Sequence, residues 1–286
     1  MIEVAAGVSG SLAPRGNAYN KLRIGDIVFL ALAVCPGKAQ EFTCIRFLHG
    51  VLLMVEDIYP QCARCPSRAC EKEPSDIGEG IRPSKHFPDF CPMKLMPDIF
   101  RQAAAEYEKP AVKEFARLAS LQEFQAFERL PDGIRAKLPR IEELIQFSRK
   151  CGFRRLGIAH CGGLRKEAAV LTDILEKSGF EAVSVQCKAG AVPKEQIGLH
   201  PEEKIAGPQN WETMCNPIAQ AMIINRAGVD FAVMLGLCIG HDTLFIKYCE
   251  VPLTVLAVKD RVLAHNPLAA LYLSDSYSRR LRSGIG

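Results

Sequence analysis

Hydrophobic and polar positions change rhythm near the middle of this chain. From Cys151 onward, short aliphatic runs alternate with stretches of a dozen or so residues in which apolar positions recur at helical spacing. The runs Leu156–Ala159, Ala182–Val185, Phe231–Leu235 and Pro252–Val258 are expected as strands. Three predicted helix ends repeat one theme: Lys150-Cys151-Gly152-Phe153, Lys177-Ser178-Gly179-Phe180 and Arg226-Ala227-Gly228-Val229. Each places a basic residue in the last turn, a glycine suited to the left-handed cap, and then an apolar residue. Strands joined by helices of this length pack as a parallel sheet with helices on both faces. The expected fold class for residues 140–286 is therefore α/β, with a small, doubly wound, Rossmann-like sheet.

Upstream the pattern is different. Arg140–Lys150 reads as a helix with Ile141, Leu144, Ile145 and Phe147 on one side. Residues 98–139 read as a helical linker, opened by Pro97-Asp98-Ile99-Phe100 and bounded or broken at Pro110, Pro131 and Pro139. Residues 54–97 form a proline-rich, cysteine-rich loop segment that cannot build an apolar core and needs another staple. Residues 1–53 read as an upstream extension or poorly ordered leader, with Met54 as the expected start. Their apolar runs, Ile27–Cys35 and Phe47–Val55, fall short of the roughly 18–20 residues of a membrane helix. Asp26 abuts the first run and no small-x-small cleavage site follows it, so a cytoplasmic location is expected.

Composition narrows the field. Apolar residues at 48% and charged residues at 24% exclude a wholly disordered chain, a collagen-like repeat and a polytopic membrane protein. A net charge of +4 spread along the chain, with Trp211 the only tryptophan, gives no case for nucleic acid or a membrane as partner. The twelve cysteines are the unusual feature. In a chain of this size they point to metals or redox chemistry rather than to disulfide staples.

The cysteines fall into two sets. Cys62-x2-Cys65-x4-Cys70 is followed after twenty residues by Cys91-Pro92. A Cys-x2-Cys turn can share one ion, and two more thiolates complete the four ligands of a zinc ion or a [4Fe-4S] cluster. Both metals stay open, His86 is an alternative ligand, and two disulfides or four free thiols are the competing reading. The second set follows from the fold, because ligands of an open parallel sheet sit beyond the carboxyl ends of its strands. Cys161, Cys187 and Cys238 follow the first three strands, and Cys215 precedes the N-cap pair Asn216-Pro217 of the helix leading into the third. These four are expected to line one rim as ligands of a metal or cluster. His241, Asp242, Lys259 and His265 on that rim are candidates for binding or protonating a small substrate. Gly162, Gly163 and Gly240 let backbone approach closely and donate N–H groups to cluster sulfurs or to an anion. Cys161, at a predicted helix start, is also a candidate nucleophile, although the arginine that phosphatase-like enzymes place six residues on is here Glu167. Cys35, Cys44, Cys151 and Cys249 are assigned to packing, and His49, His160 and His200 to no role.

The rim motifs resemble a known family. Gly157-Ile158-Ala159-x-Cys161-x-Gly163-Leu164-Arg165-x-Glu167-Ala168, Val183-Ser184-Val185-x-Cys187-Lys188, Cys215-Asn216-Pro217-Ile218-Ala219-Gln220-Ala221, Gly236-Leu237-Cys238-x-Gly240-His241-Asp242 and Val258-Lys259-Asp260-Arg261-Val262-x-x-His265-Asn266-Pro267 are similar to domain-of-unknown-function family 1847. The resemblance spans residues 54–281. This chain departs from it in residues 1–53 and in a longer stretch before Cys91. The resemblance implies a prokaryotic, metal-binding protein, with no activity to carry over. Two functions follow as expectations. One is an iron–sulfur redox or sulfur-chemistry protein with a small-molecule substrate or redox partner. The other is a zinc-binding structural, sensing or metal-delivery protein without catalysis.

Overall fold

A computed structural model describes residues 44–48, 51–55, 58–71 and 87–285, the first two stretches as backbone only. The chain divides between Leu95 and Met96 into two compact units. In the first, β1 (Cys44–Leu48) and β2 (Val51–Val55) form an antiparallel hairpin that sets Met54 opposite Ile45. Residues 1–43 of the expected leader, with Cys35, lie outside the described residues, as do His49 and His86. The cysteine segment is loop-rich, with single 3-10 turns at Cys62–Arg64 and Ala69–Glu71 and one short helix, α1 (Pro92–Leu95). Among the described residues, a small apolar cluster joins Phe87 and Cys91, with Met93 packed against them.

The second unit opens with α2 (Pro97–Tyr107) and α3 (Pro110–Gln125), each starting at a proline whose missing N–H costs a helix nothing at that position. The expected helical linker is corrected over its last third. There β3 (Phe127–Leu130) and β4 (Gly133–Ala136) form an antiparallel hairpin across Pro131-Asp132. Proline presets the turn and cannot continue a helix, so the break turns the chain back on itself.

From α4 (Arg140–Lys150) the expected alternation appears: β5 (Arg155–His160), α5 (Arg165–Lys177), β6 (Glu181–Gln186), α6 (Pro217–Arg226), β7 (Phe231–Leu237), α7 (His241–Tyr248) and β8 (Leu253–Val258). A short helix, α8 (Leu268–Tyr272), follows. The four strands form one parallel sheet in the order β6-β5-β7-β8. Leu144, Leu171 and Leu175 from α4 and α5 close one face over Ile158, Val233 and Leu235. Ala221, Ile224 and Phe245 from α6 and α7 close the other over Ala159, Ala232 and Met234. All seven residues of β7 are buried, whereas all six of the edge strand β8 are half-buried. The cap glycines Gly152, Gly179 and Gly228 have φ of +71°, +90° and +62°, the left-handed geometry their position called for. Among the described residues, no helix is long and apolar enough to cross a membrane.

Two local devices fix the sheet. At its amino end, an Asp230 carboxylate oxygen accepts from Arg154 N at 2.7 Å and Arg155 N at 2.9 Å, tying the entry of β5 to that of β7. Those two bonds hold its pKa below the ordinary aspartate value. At the other end, β7 shifts register around Leu235–Leu237. There Gly236 has φ +69°, and a Cβ on it would stand 2.1 Å from Leu164 Cδ1 and 3.3 Å from Leu164 Cγ.

A carboxyl whose folded pKa is depressed stabilises the fold above its unfolded pKa, and that contribution disappears as pH falls through the folded value. Asp230→Asn should therefore lower stability at pH 7 in urea melts, with the gap to wild type closing in acid. Gly236→Ala should cost about 2–4 kcal/mol in the same melts, combining left-handed strain with overpacking of buried Leu164.

Candidate functional site at the carboxyl edge of the sheet

Strand order reverses between β5 and β7, which makes their carboxyl ends the natural ligand crevice of the sheet. The hydrogen-bond ladder does not stop where the strands do. Cys161 N donates to Leu235 O at 3.1 Å, Cys187 N to His160 O at 2.9 Å, and Asn216 N to Cys187 O at 2.7 Å. Gln220, fully buried in the first turn of α6, clamps the same place. Its Nε2 donates to Val185 O at 2.7 Å and His160 O at 3.2 Å, so one side chain bridges the ends of β5 and β6.

Cys215 is brought back to this edge by a long excursion, residues 188–214, that closes on itself. Pro193 bridges Thr213, Met214 N donates to Val192 O at 2.8 Å, and Lys194 pairs with Glu212 at 2.7 Å with both side chains largely buried. Lys188 Nζ donates to Thr213 O across the neck. The Asn216 side chain caps α6 as its sequence position required, accepting from Ala219 N at 3.1 Å.

The result is a chain of three thiols. Cys187, 3% exposed, lies in the buried cluster against which Cys161 and Cys215 pack, the three thiols near enough to shift one another's titration, and Gly162 N donates to its sulfur at 3.3 Å. The bonds to Cys161 and then Cys215, with burial behind them, push the Cys187 thiol up and keep its proton on. Cys161 is pulled well below the usual thiol range, first by the Cys187 bond and then by the Gly163 N–H and Lys259. Cys215 is pulled down by the same Cys187 bond, with the charge of Lys188 adding to it. The middle sulfur is thus pushed toward its protonated form and the outer two toward the thiolate, with Lys259 contributing at Cys161 and Lys188 at Cys215.

The other predicted rim residues separate by role. Cys238 has a different partner: Arg261 Nη2 donates to its sulfur at 3.1 Å. His265 closes the loop after β8, its Nδ1 accepting from Asp260 N at 3.1 Å while its own N–H returns to Asp260 O at 2.9 Å. An Asp260 carboxylate oxygen braces the same turn through Val262 N and Leu263 N. Asp242 accepts from Thr243 N at 2.7 Å in the first turn of α7, and Gly240, at φ +81°, is that helix's N-cap. His241 is half-buried, and its Nδ1 is buried with no hydrogen-bond partner. Cys151 and Cys249 are half-buried thiols whose pKa burial raises, and His160 is buried with Nδ1 3.1 Å from Cys161 O. In the first unit, Cys65 N donates to Cys62 O at 3.0 Å and Cys65 Sγ lies 3.5 Å from Ser67 Oγ, while Cys70 is exposed and Cys91 buried. Among the described residues, no group of three or more Cys, His, Asp or Glu side chains is arranged to hold a metal ion. Sequence reasoning missed the Gln220 clamp and the Lys194–Glu212 neck. A glutamine inside the apolar run Pro217–Ile224 was the one signal for the first.

Comparison with known proteins places this edge in a family. The chain is 38% identical over 187 residues to an uncharacterized protein of Methanocaldococcus jannaschii, covering 65% of this chain and 90% of that protein. The family model described as "Protein of unknown function (DUF1847)" matches residues 91–256. That span includes Cys91, the three-thiol chain, Cys238 and His241, and leaves out Cys62, Cys65, Cys70, Lys259 and His265. With more than half its length matched, the chain belongs to the DUF1847 family.

Proposed function

We propose that the carboxyl edge is a thiolate centre for a soft metal, zinc or an iron–sulfur cluster, with Cys161, Cys187 and Cys215 as sulfur donors and His241 as the fourth; as placed, these side chains form no metal-holding group, so they must turn toward one another for the metal to bind. The observation that carries this reading is a chain of three thiols beside a buried imidazole nitrogen that lacks a partner. Three thiolates and one imidazole are an established donor set for tetrahedral zinc. His241 takes the place expected of Cys238, whose sulfur is engaged by Arg261. When bound, the metal would neutralise the thiolates and act as a Lewis acid or, as a cluster, as an electron reservoir. The chain's own groups have separate tasks. The Gly162 and Gly163 N–H groups and Lys259 stabilise negative charge on sulfur, Lys188 does the same at Cys215, and Gln220 holds the two strand ends together. The same proposal extends to a separate structural site in the first unit formed by Cys62, Cys65, Cys70 and Cys91, supported by the tight Cys62–Cys65 turn.

Metal and acid-labile sulfide content of protein purified without oxygen tests this. Wild type should carry about one metal centre at the carboxyl edge; Cys187→Ser and His241→Ala should both lose it, and Cys238→Ser should keep it. A second equivalent lost in Cys65→Ser would mark the first-unit site. Because Cys187 must give up its proton, affinity should fall and proton release should grow as pH is lowered. Equal metal content in wild type and Cys187→Ser would overturn the edge reading.

A second reading has one specific observation in its favour: Lys259 and the Gly163 N–H both act on Cys161. In metal-free protein this thiol should behave as an activated nucleophile. Since the thiolate is the reacting form, alkylation of Cys161 by iodoacetamide should stay fast well below the ordinary thiol pKa. Lys259→Met should move the midpoint of that rate profile upward. A profile with the midpoint of a free cysteine would rule this out.

A further inference from the structure

The edge strand β8 leaves an apolar slot at the opposite end of the sheet from the thiols. Among the described residues, the α-helix after β8 is the five-residue α8, so Leu253 and Leu256 stay half-buried, and α3 and α4 stand over them without closing the gap. The slot has a volume of about 380 Å³, within the range of small-molecule sites. Its walls are aromatic and rigid: Phe115 meets Phe147 edge-on at 5.3 Å, and Phe147 meets buried Phe231 at 6.1 Å. Phe115 is 40% exposed, so one aromatic wall of the slot is open to an incoming molecule.

The polar groups at the rim decide what such a molecule must be. Arg140 is committed to the sheet edge, with Nε donating to Val255 O and Nη2 to Thr254 Oγ1, both at 2.9 Å. Glu143, half-buried in the first turn of α4, and Glu123, exposed on α3, face the same slot. Neither has an ion-pair partner among the described residues, while the neighbouring pair Arg117–Glu114 on α3 is formed. Lys150 is likewise committed, its Nζ donating to the side chain of the lining residue Gln122, so the charged groups at the rim with no partner of their own are the two carboxylates.

We propose that this slot binds a small amphipathic cation: an ammonium group on an aromatic or branched apolar body. The body occupies the Phe115, Phe147 and Leu256 walls, where burial supplies the affinity. The ammonium group sits at the rim, paired with Glu143 and in cation–π reach of the ring faces. The site shares no residue with the thiol edge and does not depend on a metal there.

The test uses the full chain and three probes with one aromatic body: 2-phenylethylamine, 3-phenylpropionate and 3-phenylpropanol. Binding is followed by amide shifts of Phe115, Glu143 and Leu256 and by calorimetry. The amine should bind about ten-fold tighter than the carboxylate, a difference of about 1.4 kcal/mol, with the alcohol between them. Glu143→Gln should reduce that preference several-fold while circular dichroism shows α4 intact. Glu123→Gln should do so to a smaller extent, which keeps the proposal open to test should Glu143→Gln unfold. Equal binding of amine and carboxylate would overturn the proposal, as would saturation by none of the probes at about 10 mM. Concentration-dependent shifts at these residues without any probe would also overturn it, because a second copy of the chain would then cover the slot.

Discussion

Everything at the carboxyl edge hangs on backbone hydrogen bonds that run one residue past the strands. Cys161 is anchored to β7, Cys187 to β5, and Asn216 to Cys187. Groups this far inside the fold must be paired, because an unpaired buried N–H or C=O costs about as much as a lost hydrogen bond. The ladder therefore fixes where each cysteine backbone lies, and the sulfurs follow. Gln220 strengthens the same point by binding the last carbonyls of β5 and β6 from the helix behind them. The thiols are neighbours because the main chain leaves them little choice.

Charge is arranged to suit that crowding. Three sulfurs in a row resist full ionisation, so the middle thiol is pushed up and the outer two are pulled down, with lysines and a peptide N–H contributing to the latter. The cations come from different elements: Lys259 from the end of β8, Lys188 from the neck of the excursion, and Arg261, which serves Cys238 instead. The carboxylates of the edge, Asp242 and Asp260, are occupied in local turns.

Much of this was legible in the sequence, for physical reasons. Aliphatic runs bounded by a cap glycine and an N-cap pair leave few alternatives to buried parallel strands, and Arg140–Lys150 emerged with the boundaries its periodicity indicated. The rim position of Cys161, Cys187 and Cys215 followed from strand ends and a helix cap. What spacing does not carry is which way a side chain turns and who else claims it. Cys238 sits at the same topological level, yet Arg261, three residues past β8, engages it. His265 reads like a catalytic group beside a helix cap, but the left-handed pair Ala264 and His265 turns its ring back onto Asp260 N. The hairpin at Pro131-Asp132-Gly133 was signalled by its turn residues and masked by the alanine- and glutamate-rich helix before it.

The self-closed excursion between Cys187 and Cys215 has an effect on how such proteins can diverge. Its neck, Pro193 against Thr213 and Lys194 against Glu212, is sealed by its own contacts. The turns beyond are tied to that neck by Lys204 Nζ on Glu195 at 2.7 Å and Ala206 N on Glu212 at 3.1 Å, and the exposed tip, residues 208–210, stands outside those two ties. Lengthening a loop already closed at its base adds only a slowly growing entropic penalty. That stretch is a natural splice point: a domain, an epitope or a fluorescent reporter inserted there would ride on the sheet while the sulfurs beneath it keep their places.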